Sequence, residues 1–241
     1  MQLFYDPEAG PNLTGFLLNP EESRHAIKVL RHTIGDDLHI TNGEGQLFKG
    51  RIEDVQKKQA LINTGEVIKT EKPQPEINLA ISPLKKPDRN DFLIEKAVEL
   101  GVQKIFFFRS SQTVKQNIKQ ERTEKIAASA MKQSFRLLLP KIYQPRHFIH
   151  VLEDLTSREL LIASQPHQDS KPIWKYEGKN DSVTLLIGPE GDFTKEEMET
   201  AINAGAKPVW LGEARYRSET AALVGIHSIA LMSLLKNDPK Y

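Results

Sequence analysis

Two short segments of this 241-residue chain gather glycine, polar and charged residues between apolar flanks. The first is Ile187-Gly188-Pro189-Glu190-Gly191-Asp192-Phe193-Thr194, between the apolar run Val183–Ile187 and a helix predicted over Thr194–Ala204. Thr194 and Glu197 have the spacing of a capping box, Phe193 and Met198 that of a hydrophobic staple, and Gly205 stands where such a helix stops. Glycines in a strand-to-helix turn let backbone amides approach a ligand with no Cβ in the way. A tight turn that merely needs glycine is the competing reading. The loop is neither GxGxxG nor a Walker A sequence, which disfavours dinucleotide and nucleoside triphosphate binding.

The second segment is Leu211-Gly212-Glu213-Ala214-Arg215-Tyr216-Arg217-Ser218-Glu219-Thr220-Ala221, again between an apolar strand and an apolar helix. A charge run is usually a solvated face. A helix cap at Ser218 accounts for Ser218 and Glu219 but leaves Arg215, Tyr216 and Arg217 unexplained. Their place, at the carboxyl end of a strand, is where α/β sheets bind ligands.

The elements that must hold these segments follow from patterning. Residues 1–70 read as a small β-rich domain. Its strands are Gly15–Leu18, Leu38–Thr41, Gln46–Glu53 and Ala60–Glu66, with a hairpin signal at Asn42-Gly43 and a helix from Pro20 to about Leu30. Thr70–Glu76, with two prolines and no apolar face, reads as a linker. Residues 71–241 then alternate strand and helix. The predicted strands are Ile77–Ser82, Lys104–Phe108, Leu160–Ala163, Val183–Ile187 and Pro208–Leu211. The helices are Asp91–Leu100, Arg122–Leu137, Thr194–Ala204 and Glu219–Leu235. That alternation predicts an α/β domain with a mostly parallel sheet covered on both faces.

Composition narrows the classes. Lys and Arg number 33 against 32 Asp and Glu, so any nucleic-acid surface must come from grouping rather than excess. Arg24, Lys28 and Arg31 share a helical spacing; Lys85, Lys86 and Arg89 form a second group, and Lys115, Lys119 and Arg122 a third. With no cysteine, disulfides and thiolate chemistry are excluded, and the seven histidines form no metal motif, so no metal is expected. The start has no signal-peptide pattern, and the apolar stretch Ala221–Leu235 is shorter than the ~20 residues of a membrane span. A cytoplasmic protein with no membrane partner is the expectation.

The two segments resemble the 16S ribosomal RNA uracil-N3 methyltransferases of the SPOUT superfamily, whose pattern joins an IGPEGG-F-[ST] loop to an LG-x-RILR-x-ETA loop. Three further matches lie along the chain. They are Ser23-Arg24-His25 with Val29-Leu30-Arg31, Lys96-Ala97-Val98-Glu99-Leu100-Gly101-Val102, and Gln133-Ser134-x-Arg136 with Leu139-Pro140. The chain departs from the pattern at Asp192, at Ala214-Arg215-Tyr216 and at Lys132, where Glu is usual.

The resemblance implies a PUA-like β-barrel over 1–70, with Arg136 joining the RNA-facing cations. It implies a SPOUT domain with a deep trefoil knot over 71–241 and a homodimer through the last helix. It also implies S-adenosylmethionine as cofactor. Ala163, Ser164 and Gln165 would line its site, with Ile187, Gly188, Pro189, Glu190 and Gly191 and with Leu211, Gly212, Tyr216, Arg217 and Thr220. The implied reaction moves a methyl group from a sulfonium to uracil N3, whose proton has to leave. A guanidinium bonded to the uracil oxygens favours the deprotonated ring. Arg217 takes that role; Glu219 orients Arg217 or acts as base, orientation being preferred. Two alternatives stay open: another RNA nucleotide as target, or a non-catalytic RNA-binding assembly factor.

Overall fold

A computed structural model describes residues 2–73, 75–114, 117–155, 159–165, 170–176 and 180–237. Lys115, of the third basic group, lies outside them. The chain divides into two compact units, residues 1–72 with 128–139, and 73–127 with 140–241. Sequence patterning had placed 128–139 with the second domain.

In the first unit, strands β1 (Leu3–Tyr5), β2 (Phe16–Leu17), β3 (Asp37–Thr41), β4 (Gln46–Gln56) and β5 (Gln59–Thr70) form one sheet in the order β1-β3-β4-β5-β2. β1 and β3 are parallel and the other pairs antiparallel, with register shifts along β4 and β5 that bend both long strands. Inward residues such as Phe4, Ile40, Phe48, Ile52 and Ile62 are fully buried and form its core. Helix α1 (Pro20–Arg24) starts where Asn19 Oδ1 accepts the Glu22 amide at 3.0 Å, with proline at the first helical position.

The predicted helix to Leu30 does form, but from His25 to Val29 it widens to i→i+5 bonding, with the Leu30 amide on the His25 carbonyl at 3.0 Å. Arg31 follows in the left-handed region at φ +60. Arg24, Lys28 and Arg31 are all exposed, yet they are not spaced on one α-helical face, because the winding changes between them.

The second unit holds β6 (Glu76–Ile81), α2 (Pro87–Glu99), β7 (Lys104–Arg109), α3 (Gln120–Gln133), β8 (Lys141–His147) and α4 (Phe148–Asp154). It continues with β9 (Glu159–Ala163), β10 (Lys171–Pro172), β11 (Ser182–Ile187), α5 (Lys195–Asn203), β12 (Lys207–Trp210) and α6 (Ser218–Asn237), while α3 belongs to the first unit from Ala128 onward. The sheet order is β10-β12-β9-β11-β6-β7-β8, and every pairing in it is parallel. Val183–Ile187 and Ile77–Ile81 are buried without alternation, as strands covered on both faces must be.

β8 escapes sequence reading because its polar residues and Pro145 look unlike a strand; an edge position tolerates both. α3 stops short of the expected Leu137, because Phe135 takes a left-handed conformation at φ +56. Helix α6 corrects another expectation. By length and composition it is long and apolar enough to cross a membrane. Here one side of it, including Ala222, Ile226 and Ile229, is buried, and the helix packs on β6, β11 and α2. Gly225 permits the close approach, since a Cβ there would stand 2.4 Å from the Leu185 side chain.

Candidate functional site

Strands β12, β9 and β11 are neighbours in the sheet and parallel, so the loops leaving them emerge side by side. Together these loops bound a cleft of about 380 Å³. Ala163, Ser164 and Gln165 line it from β9, Ile187, Gly188, Pro189 and Glu190 from β11, and Leu211, Gly212, Tyr216 and Arg217 from β12. Sequence reasoning named all of these. Gly191 and Thr220 were also named but do not line the cleft. At Gly191 a Cβ would stand 3.2 Å from the Gln112 Cβ, so a side chain there would crowd that neighbour. Arg89, Asp192, Ala214, Arg215, Ser218 and Ala221 complete the wall.

Local chemistry fixes the β11 loop. The Glu197 amide donates to Thr194 Oγ1 at 3.2 Å and the Thr194 amide to Glu197 Oε2 at 3.0 Å, which completes the expected capping box. Phe193 seats its ring against Phe108 and Phe148, with centroids 5.8 and 5.3 Å away. Its own loop then closes tightly over Gly188, where a Cβ would lie 3.1 Å from the Phe193 amide nitrogen.

Asp192, at φ +69, occupies the left-handed position between them, and its Oδ1 accepts the Phe193 amide at 2.8 Å. Aspartate tolerates that region because its short carboxylate bonds locally, whereas alanine has no such compensation. Asp192→Ala is therefore expected to lower stability by about 1 kcal/mol more than Asp192→Gly. Urea unfolding of both proteins checks it, and an equal loss would refute the backbone account.

On the other wall, the Tyr216 hydroxyl rests over Gly212, 3.0 Å from where a Cβ would stand. Tyr216 and Arg217 are exposed. α6 begins at Ser218 itself, and the Arg217 carbonyl accepts the Ala221 amide at 2.8 Å, so Ser218 is the first helical residue rather than the cap.

The electrostatic centre is Arg89, which patterning had grouped with RNA-facing cations. Its Nε donates to Glu219 Oε1 at 2.7 Å, its Nη2 bonds Glu219 Oε2, and its Nη1 reaches Glu190 Oε1 at 3.2 Å. The Lys85 amide donates to the same Glu190 oxygen at 3.1 Å. One guanidinium from the start of α2 thus ties the β11 loop to the first turn of α6. Burial works against the Glu219 charge, but the Arg89 hydrogen bonds and charge, with a smaller contribution from Arg217, hold its carboxyl below the ordinary value.

Glu219 therefore pairs with Arg89, not with Arg217 as expected from spacing, because α2 brings a guanidinium that no local reading could see. The carboxylate is ionised and doubly bonded, which makes it a poor proton acceptor. Lys85 and Lys86 are exposed beside the cleft. Arg136 lies in the first unit, where its Nη1 reaches Glu71 Oε1 at 3.1 Å, and Arg122 is bonded to Asp91. Among the described residues, no group of three or more His, Asp or Glu could hold a metal ion.

Comparison with known proteins agrees with this geometry. Residues 70–230 match the model of an RNA methyltransferase domain, and residues 18–64 that of an RNA methyltransferase PUA domain. The ribosomal RNA small subunit methyltransferase E of Buchnera aphidicola is 32% identical over 235 residues, covering 92% of this chain and 90% of that protein. The crystal structure of a probable rRNA-methyltransferase from Porphyromonas gingivalis is 34% identical, with a TM-score of 0.88 over 98% of this chain and 99% of that one. The ribosomal RNA small subunit methyltransferase E of Neisseria gonorrhoeae, solved bound to S-adenosyl methionine, is 29% identical, with a TM-score of 0.84 over 98% of both chains. The three converging loops, the two matched domain models and relatives aligned along nearly their full length establish that this chain belongs to the RNA methyltransferase family of ribosomal RNA small subunit methyltransferase E.

Proposed function

We propose that the protein methylates N3 of a uridine in 16S ribosomal RNA, using S-adenosylmethionine held in the cleft formed by the β9, β11 and β12 loops. The observation that carries this reading is the convergence of both sequence motifs on one cleft at the carboxyl ends of adjacent parallel strands. The residues fit such a cofactor. The volume of about 380 Å³ lies within the ~300–1,000 Å³ usual for ligand pockets. Apolar Ile187, Leu211 and Ala163 suit a nucleoside, and Gly188 and Gly212 leave the backbone accessible.

Bound there, S-adenosylmethionine supplies an electrophilic methyl group. Arg217 acts on the acceptor. Its exposed guanidinium complements the charge that develops on the uracil oxygens as the N3 proton leaves. Arg89, with Glu190 and Glu219, holds the loops in register. Holding donor and acceptor in line supplies up to ~7–11 kcal/mol of such a barrier. The exposed Arg24, Lys28, Arg31, Lys85 and Lys86 provide phosphate contacts, so binding weakens steeply with salt.

The same reading includes a closed barrel for the first unit, supported by its bent long strands. It includes a knotted second unit, and a homodimer through the outer side of α6, where Leu231, Leu234 and Leu235 are exposed. Its setting is the cytoplasm. Mass mapping of 16S ribosomal RNA from cells with and without the gene is expected to show one methylated uridine lost. An unchanged map would sink the proposal, and a change at another nucleotide would redirect it. A crystal structure with bound S-adenosylmethionine would test the knot, the barrel and the dimer together.

A further inference from the structure

Helix α3 ends in a turn that glycine would fill without strain. The Phe135 amide bonds to the Lys132 carbonyl at 3.3 Å and the Arg136 amide to the Met131 carbonyl at 3.0 Å, a pairing that sets Phe135 at φ +56. A bulky aromatic residue is an outlier there. Burial does not compensate it, because Phe135 is 41% exposed. The ring pairs described in this unit join Phe4 with His25 and His32 instead.

The frame around the ring is nevertheless firm. Glu71 accepts from Arg136 Nη1 at 3.1 Å and from the Leu137 amide at 2.6 Å, while Lys132 is paired with the buried Glu22. A strained, rigidly mounted and solvent-facing aromatic side chain is what a stacking platform requires. It belongs to the unit that carries the exposed Arg24, Lys28 and Arg31, and whose residues 18–64 match an RNA methyltransferase PUA domain.

We propose that Phe135 stacks on an unpaired base of the substrate RNA and so positions the strand on the first unit. Proteins that hold single-stranded RNA commonly place bases on aromatic faces between phosphate-binding cations. The inference rests on the reading of the protein as an S-adenosylmethionine-dependent RNA methyltransferase.

Its test is steady-state methylation of 16S ribosomal RNA by the full chain, with melting curves and cofactor calorimetry on the same proteins. Phe135→Gly removes ring and strain together. It is expected to raise KM for RNA by about tenfold, the loss falling on KM rather than kcat. The melting temperature should rise by about 2–4 °C. Affinity and stability thus move in opposite directions, which a purely structural side chain would not produce. Phe135→Tyr should keep KM within about twofold, and Phe135→Leu, apolar but without a π face, should behave like the glycine variant. A normal KM for either Phe135→Gly or Phe135→Leu overturns the proposal. So does a normal KM accompanied by altered subunit association, which would assign the ring to a protein contact. Absence of methylation by the wild type, by contrast, would count against the functional reading itself.

Discussion

Replacing Arg217 with alanine is expected to lower kcat by about 10²–10³-fold, the usual cost of removing one donor that meets developing charge. Cofactor affinity should change little, because the cleft walls contributed by Gly188, Leu211 and Gly212 remain. Lysine should rescue only part of the loss, since an ammonium cannot present the planar fork of a guanidinium to two uracil oxygens. Single-turnover methylation with calorimetry on the same samples checks both halves. Near-normal turnover by the alanine protein would take Arg217 out of the chemistry.

Arg89→Ala is expected to cost roughly 2–3 kcal/mol of stability, somewhat below the about 3–5 kcal/mol for a fully buried pair. The Glu219 side chain is only 10% exposed, so removing the guanidinium strands a carboxylate beside a second one, Glu190. The pH dependence follows from the sign of the shift. Folding holds the Glu219 carboxyl below its ordinary 4.5, so the pair contributes fully above about pH 4.5. The contribution is lost as pH falls through the lower folded value. The gap between wild type and variant should thus be widest near neutral pH and narrow in acid.

The double variant Arg89→Met, Glu219→Leu should recover most of the stability, because no charge is stranded. It should still bind S-adenosylmethionine poorly, since nothing then ties Glu190 to α6. Chemical denaturation across pH, with cofactor titration, distinguishes the outcomes. Equal cofactor affinity in all three proteins would reduce the bridge to a stability element.

Much of this site was legible in the sequence, and the reason is local. The β11 loop is encoded by neighbours, with Thr194 and Glu197 capping α5 and Phe193 anchoring the turn. What sequence missed required tertiary information. Arg89 looked like one cation among three lysines and arginines, and only the placement of α2 brings it to Glu219. Gly191 read as part of the ligand loop, and the structure leaves it just outside the lining of the cleft. The basic face on the first helix failed for another reason, because a 3.6-residue period cannot anticipate the wider winding from His25 to Val29. β1, β8 and α4 went unread because they are short or carry an edge strand's mixed polarity.

The parallel sheet also governs how the molecule comes into being. β11 lies beside β6, its partner about a hundred residues earlier in the chain, and β12 beside β9. Long stretches of polypeptide must be drawn together before any such pairing is rewarded, so refolding is slow for a domain of this size. The strands that carry the cleft loops, β9, β11 and β12, lie inside that sheet rather than at its edge. Methyl donor binding should return in one late kinetic step, together with the last strand to join the sheet.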